Sequence, residues 1–136
     1  MPQLSAILIA FSLGAMIFFS AVVAPTIFRT IPAEEAGKLL RAVFPNYFLA
    51  NGVLAVLAGA VAARPLESSV LVICGLTMLA VNYFAIPKIN SLRDAVLAGD
   101  KTAAKQFNNW HGGAVALNLL EMLGLAAVAF LLLSRP

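Results

Sequence analysis

The sequence predicts an all-α membrane protein, an antiparallel four-helix transmembrane bundle with amphipathic helix extensions on its cytoplasmic side. Three observations predict it. Of 136 residues, 62% are hydrophobic and 11% charged, whereas a soluble domain carries about 25% charged residues. Four apolar stretches each reach the roughly 20 residues that a bilayer-spanning helix requires, and together they nearly fill the chain. The basic residues gather in alternate connections between those stretches. The whole chain, 1–136, is read as one membrane domain.

The first span covers about residues 4–28 and is uncharged from Met1 through Phe28. Its segment SAVVA ends in small residues, as a signal cleavage site does. No Lys or Arg precedes the apolar run, however, and Pro25 would follow the cut, so the segment is read as a helix. The second span, about 33–63, begins within RTIPAEEAGKLLRAVFP. Pro32 suits a first-turn position, and Glu34 and Glu35 lie where a helix dipole favours negative charge. Leu39, Leu40, Val43 and Phe44 share a face opposite Lys38 and Arg41, which predicts an interfacial amphipathic lead-in. Pro45 has no N–H for the carbonyl of Arg41, so a kink is expected there.

The third span is read as 68–98 with a kink at Pro87. Ile89, Leu92 and Val96 recur at helical spacing beyond that proline, until Gly99 stops the helix and Asp100 caps the next. The fourth span, 101–134, holds a single formal charge between Gln106 and Ser134, namely Glu121. VAPTIFR and AIPKINS leave the first and third spans in the same way, each with an isoleucine two residues after its proline, which hints at a repeat of two hairpins. Ala55, Gly59 and Ala63, with Gly112, Gly113 and Ala116, are small enough to let helices approach closely.

Orientation follows from the loops. Arg29, Lys38, Arg41, Lys88, Arg93, Lys101 and Lys105 lie in the 1–2 and 3–4 connections, against Arg64 and Arg135 on the other side. Seven cations against two place those connections in the cytoplasm and both termini outside a cell membrane. Because the cations flank spans rather than cluster on a soluble module, a nucleic-acid partner is not expected, and the partner is the lipid bilayer itself. Cys74 is the only cysteine, so no intrachain disulfide forms, and a small apolar core residue is its expected role.

The informative residues are the polar ones inside the spans. His111, Asn118 and Glu121 fall on one stripe of the last helix. At 1.5 Å rise per residue, His111 sits near the cytoplasmic interface, Asn118 about 10 Å deeper, and Glu121 near the midplane. Asn51 and Asn82 are expected at comparable depth, each about six residues from its cytoplasmic end. An ionised carboxylate at the bilayer centre costs on the order of 3 kcal/mol, so Glu121 must be protonated, paired or hydrated. Two readings stay open: these residues form a site, or they are interhelical glue worth about 0.6 kcal/mol each. His111, next to Trp110, is likewise either a ligand-facing group or an interfacial anchor. Arg29, Asn51, Asn82, His111 and Asn118 would make a cytoplasm-facing polar vestibule in which Arg29 attracts an anionic or carbonyl-bearing ligand. No cofactor is predicted. One histidine and one cysteine do not make a metal site within one chain, while a haem ligand or proton relay at His111 stays open.

APTIFRTIP, AVFPNYF, NYFAIPKI and FNNWHGGAVALNL, in that order and spacing, resemble the transmembrane-protein-205-like family of small four-helix membrane proteins, also known as a domain of unknown function. The resemblance covers most of the chain. It marks Phe28 and Arg29, Phe44, Pro45, Tyr47 and Phe48, Asn82 and Pro87, and Phe107, Trp110, His111, Gly112 and Asn118 as the family pattern, which adds Tyr47 to the candidate ligand-binding residues. Glu121 lies outside it and rests on the membrane argument alone. A eukaryotic member is associated with resistance to platinum drugs, so the resemblance implies transport or trafficking. The expected function is therefore small-molecule or ion transport, or resistance-related handling, by a protein that would act as a homo-oligomer because four helices enclose little space. Two alternatives stand beside it: a haem- or lipophilic-substrate-binding membrane enzyme using His111, and a membrane scaffold.

Overall fold

A computed structural model describes residues 2–134; Met1 and Arg135, used above in the first span and the charge tally, lie outside the described residues. Helix α1 (Pro2–Phe18) passes through a five-residue π-helical turn, Phe19–Val23, into α2 (Ala24–Thr30). Helix α3 (Ala33–Ala60) returns, and α4 (Pro65–Ala80) leads through a second π-turn, Val81–Ala85, into α5 (Ile86–Leu97). Helix α6 (Lys101–Leu133) completes the fold, and no strand occurs among the described residues. The result is four long apolar rods, Gln3–Thr30, Ala33–Ala60, Pro65–Leu97 and Lys101–Leu133, each able to cross a bilayer. The protein is a multi-pass membrane protein.

The helix irregularities have a common cause. Pro25 and Pro87 each occupy the second position after a π-turn. In both places the residue before the proline donates its N–H five residues back, Ala24 to the Phe19 carbonyl and Ile86 to the Val81 carbonyl. Proline removes a donor and crowds the carbonyl one turn earlier, and the wider turn absorbs that conflict inside a helix that lipid does not allow to break. The irregularity expected at Pro87 thus begins one turn before it, and Pro25, where an uninterrupted helix was expected, has the same device. Pro45 sits inside α3, which stays helical through it.

Two ends also differ from the expected ones. The third rod starts at Pro65 rather than residue 68, because proline fits the first helical turn. The second ends at Ala60 rather than residue 63, where Val61 and Ala62 donate back to the Leu57 and Gly59 carbonyls. Gly99 ends α5 at φ 95°. Its N–H bonds the Val96 carbonyl and that of Asp100 bonds the Ala95 carbonyl, the paired bonds of a Schellman cap. Asp100 then accepts from the Thr102 hydroxyl at 2.7 Å and the Thr102 and Ala103 N–H groups at 2.8 and 3.3 Å. Those bonds hold its carboxyl below the usual carboxylate range.

Packing closes the half of the bundle away from the basic connections: α1 lies against α3 and α6, α4 against α3 and α6. Ile9, Met16, Ala55, Leu71, Met78 and Leu125 fill it. The α3–α4 contact is the tightest for a reason of size: a Cβ on Gly75 would lie 2.7 Å from the Gly52 carbonyl oxygen and 2.8 Å from the Val56 nitrogen. Gly59 serves close approach as expected, but against Val72 and Ser68 of α4. Gly112 and Gly113 do not, since nothing lies within 4 Å of a Cβ built on either. At the basic end the pairing changes. Here α2 packs on α3 through Ile27, Ala36 and Leu40, α5 packs on α6, and Arg41 spans to Asp94 at 2.8 Å. Outside, Phe11, Ile73, Phe84, Leu123 and Phe130 are exposed, the apolar surface that contacts lipid.

Gly75→Ala is expected to lower stability by about 1–3 kcal/mol through overpacking. Gly112→Ala, in an open helix interior, should raise it by roughly 0.5–1 kcal/mol. Thermal unfolding of both in one detergent checks the pair; equal effects would contradict the packing.

Candidate functional site

Between α2 and α6 the basic half of the bundle is not closed, and a cleft of about 270 Å³ lies there. Its walls come from both proline-linked irregularities. The first π-turn supplies Phe19 and Ser20, α2 supplies Ala24, and α5 supplies Ile86, Ile89 and Asn90 directly after the second. Helix α3 contributes Phe44, Tyr47 and Phe48, and α6 contributes His111, Ala114, Val115, Asn118 and Leu119. Phe44 and Phe48 lie on one face of α3 at i, i+4 spacing, with Tyr47 beside them. Their rings and Phe19 make one aromatic cluster, with Phe19 and Tyr47 centroids 4.9 Å apart and Phe19 and Phe44 meeting edge to face at 5.6 Å.

On this apolar floor the polar groups are few. Tyr47 donates its hydroxyl to Asn118 Oδ1 at 3.1 Å, and the Asn118 amide points to the Met122 sulfur at 3.7 Å. The His111 ring stacks on Phe107, centroids 5.5 Å apart and planes 7° from parallel, and the Arg93 guanidinium lies 5.6 Å from the Phe107 centroid. The Arg93–Phe107–His111 stack thus ties α5 to α6 at the end of the cleft.

The expected site residues therefore divide. His111, Asn118 and Tyr47 line the cleft. Asn51, Asn82, Arg29 and Glu121 are not among its lining residues. Asn51 is 3% exposed and lies behind the cleft wall; its Oδ1 accepts from Ser12 at 2.9 Å and its amide donates to the Tyr47 carbonyl at 2.8 Å, which steadies the turn carrying Tyr47. Arg29 is exposed at the end of α2. Asn82 lies in the second π-turn with a buried Oδ1 that has no partner among the described residues. Glu121, 2% exposed, faces α4, where the Thr77 hydroxyl donates to Oε1 at 2.8 Å while Oε2 has no hydrogen-bond partner among the described residues. It sits beside Asn118 along α6 but turns away from the cleft, because three residues advance a helix by less than a full turn.

Sequence reasoning missed Ser12, Ser20, Thr77, Asn90 and Arg93. Ser5 and Ser12 carried a signal: at i, i+7 they share a face of α1, and both are fully buried, Ser5 donating to the Ala58 carbonyl at 2.9 Å. Among the described residues, no three His, Cys, Asp or Glu side chains gather as a metal site would require.

Fold and cleft define a small multi-pass helical membrane protein with an aromatic-lined cleft in its basic half. Residues 7–98 match the family described as Domain of unknown function (DUF4149), and the chain belongs to that family. It is also similar to an uncharacterized protein of Aquifex aeolicus (strain VF5), 30% identical over 139 aligned positions that cover 98% of each chain. No solved structure gives a significant match.

The Thr77–Glu121 bond carries its own prediction. Thr77→Val keeps shape and removes the donor, leaving a buried carboxyl without a partner, and is expected to cost about 1–3 kcal/mol. Adding Glu121→Leu should restore much of that loss, since an apolar pair of similar shape has nothing to desolvate. A double-mutant cycle on unfolding in detergent checks it; additive losses would show that the bond carries no coupling.

Proposed function

We propose that this protein binds a small lipophilic molecule from the cytoplasmic leaflet and handles it in a transport or resistance role. The single observation that carries the reading is the cleft. It is walled by two π-turn exits and floored by aromatic rings, with Ser20, Tyr47, Asn90, His111 and Asn118 as its polar residues. Ligand sites have this character, an apolar lining with a few placed polar atoms, and π-turns in transmembrane helices recur at functional sites. At about 270 Å³ the cleft lies just below the usual range of roughly 300–1,000 Å³ for drug-sized ligands. It suits a compact molecule or one chain of an amphiphile. The closed packing of the opposite half supports uptake and release on one side by a single chain. The motif resemblance to the transmembrane-protein-205-like family supports the same class of role.

Photolabelling tests the binding reading. Diazirine-bearing alkyl probes, whatever their headgroup, should crosslink to residues of the cleft in the reconstituted protein, and Ala114→Trp, which fills the cleft from α6, should abolish that labelling at unchanged thermal stability. Labels spread evenly over lipid-facing Leu123 and Phe130, with no response to Ala114→Trp, would defeat it.

The side assignment rests on the cation-rich connections. Single cysteines at Lys101 and Ser134, with buried Cys74 silent, should react with an impermeant maleimide in intact cells only at Ser134. Reaction at Lys101 from outside would reverse the orientation.

A further inference from the structure

The residues at the mouth of the cleft narrow its ligand to one charge class. Asn90 and His111 line the cleft, and Arg93 and Phe107 follow them by one turn toward the basic end, on the same faces of α5 and α6. Arg93 lies over the Phe107 ring. A guanidinium over an aromatic ring is attracted by the ring's charge distribution and still has N–H donors to offer acceptors. The carboxylates at this end are already engaged. Glu34 and Glu35 pair with Lys38, Asp94 pairs with Arg41, and Asp100 caps α6. Arg93 has no carboxylate partner among the described residues, although it is a half-buried cation beside a cleft with an oily floor.

We propose that the cleft binds a single-chain anionic amphiphile of the membrane, its chain on the aromatic floor formed by Phe19, Phe44 and Phe48 and its carboxylate or phosphate headgroup held by Arg93, with Asn90 and His111 beside it. This rests on the binding reading above and adds the ligand's charge to it. Geometry supports the assignment of the two ends. Asn118, near the deep end, is seven residues from His111 on one helix, so the cleft extends about 10 Å from a headgroup-level mouth toward the membrane centre. A fork of fixed N–H groups matches carboxylate and phosphate oxygens and has no acceptor to offer a cationic headgroup.

The test uses the full-length protein in zwitterionic phosphatidylcholine nanodiscs and three probes with one diazirine-bearing alkyl chain, ending in a carboxylate, an alcohol or a primary amine. The carboxylate should label the cleft about tenfold more than the alcohol, the ratio expected from one charge-assisted hydrogen bond, and the amine least of all. Arg93→Gln should bring the carboxylate down to the level of the alcohol. Arg93→Lys, which keeps the charge without the fork, should retain part of the preference, and Lys88→Gln, a charge change outside the cleft, should retain all of it. Inorganic phosphate should not displace the bound carboxylate probe; full displacement would mean that a free anion rather than an amphiphile owns the site, and would overturn the proposal. Equal cleft labelling by all three probes, or a preference unmoved by Arg93→Gln in a protein of unchanged melting temperature, would overturn the charge assignment while leaving lipophilic binding intact. Labelling of the cleft by none of them would overturn both.

Discussion

A helix surrounded by lipid has no water to satisfy a broken backbone bond, so each proline in a spanning segment must be accommodated within the helix itself. Two of the three prolines inside the apolar rods, Pro25 and Pro87, are accommodated by the same five-residue π-turn placed directly before them. Much of the geometry around the cleft depends on that accommodation. The π-turns carry Phe19, Ser20 and Asn82, and the segments beyond them carry Ala24, Ile86, Ile89 and Asn90. Below the turns α1 and α4 belong to a closed bundle, and above them α2 follows α3 while α5 follows α6. The open seam between those two pairs is the cleft.

The buried polar side chains do different work in the two halves. In the closed half they link neighbouring helices one bond at a time: Ser5 to the Ala58 carbonyl, Ser12 to Asn51, Thr77 to Glu121. Each such bond tells helices of otherwise interchangeable apolar faces how to align, which dispersion between oily surfaces does weakly. In the open half Tyr47 and Asn118 bond to each other across the cleft wall while remaining part-buried. Asn51 connects the two sets, held by Ser12 on one side and holding the Tyr47 carbonyl on the other. A change at Ser12 would therefore reach the cleft without touching it.

The spans, their caps and their apolar exteriors were legible because each depends on local sequence. Gly99 and Asp100 end one helix and begin the next through contacts within a few residues. His111 and Asn118 could be placed on one face by periodicity, and both reach the cleft. Glu121 obeys the same arithmetic yet faces α4, because a stripe on a helix is wide enough to meet two neighbours and the sequence does not say where the boundary between them falls. Gly112 and Gly113 look like packing residues and face open space, whereas Gly52 and Gly75, unremarked in the sequence, set the closest helix contact.

Hydrophobic length and charge between the spans determined by themselves that this is a four-span helical membrane protein with one basic end, since lipid selects for helices and electrostatics sorts the connections. Which polar residue meets which was decided by the tertiary structure alone. Ser12 reaches Asn51, Thr77 reaches Glu121 and Arg93 reaches Phe107, each from one helix to another. Those meetings depend on the rotation of each helix about its axis, and that rotation is set by packing at places such as Gly75 and by the register that two π-turns add, neither of which is encoded in any one segment.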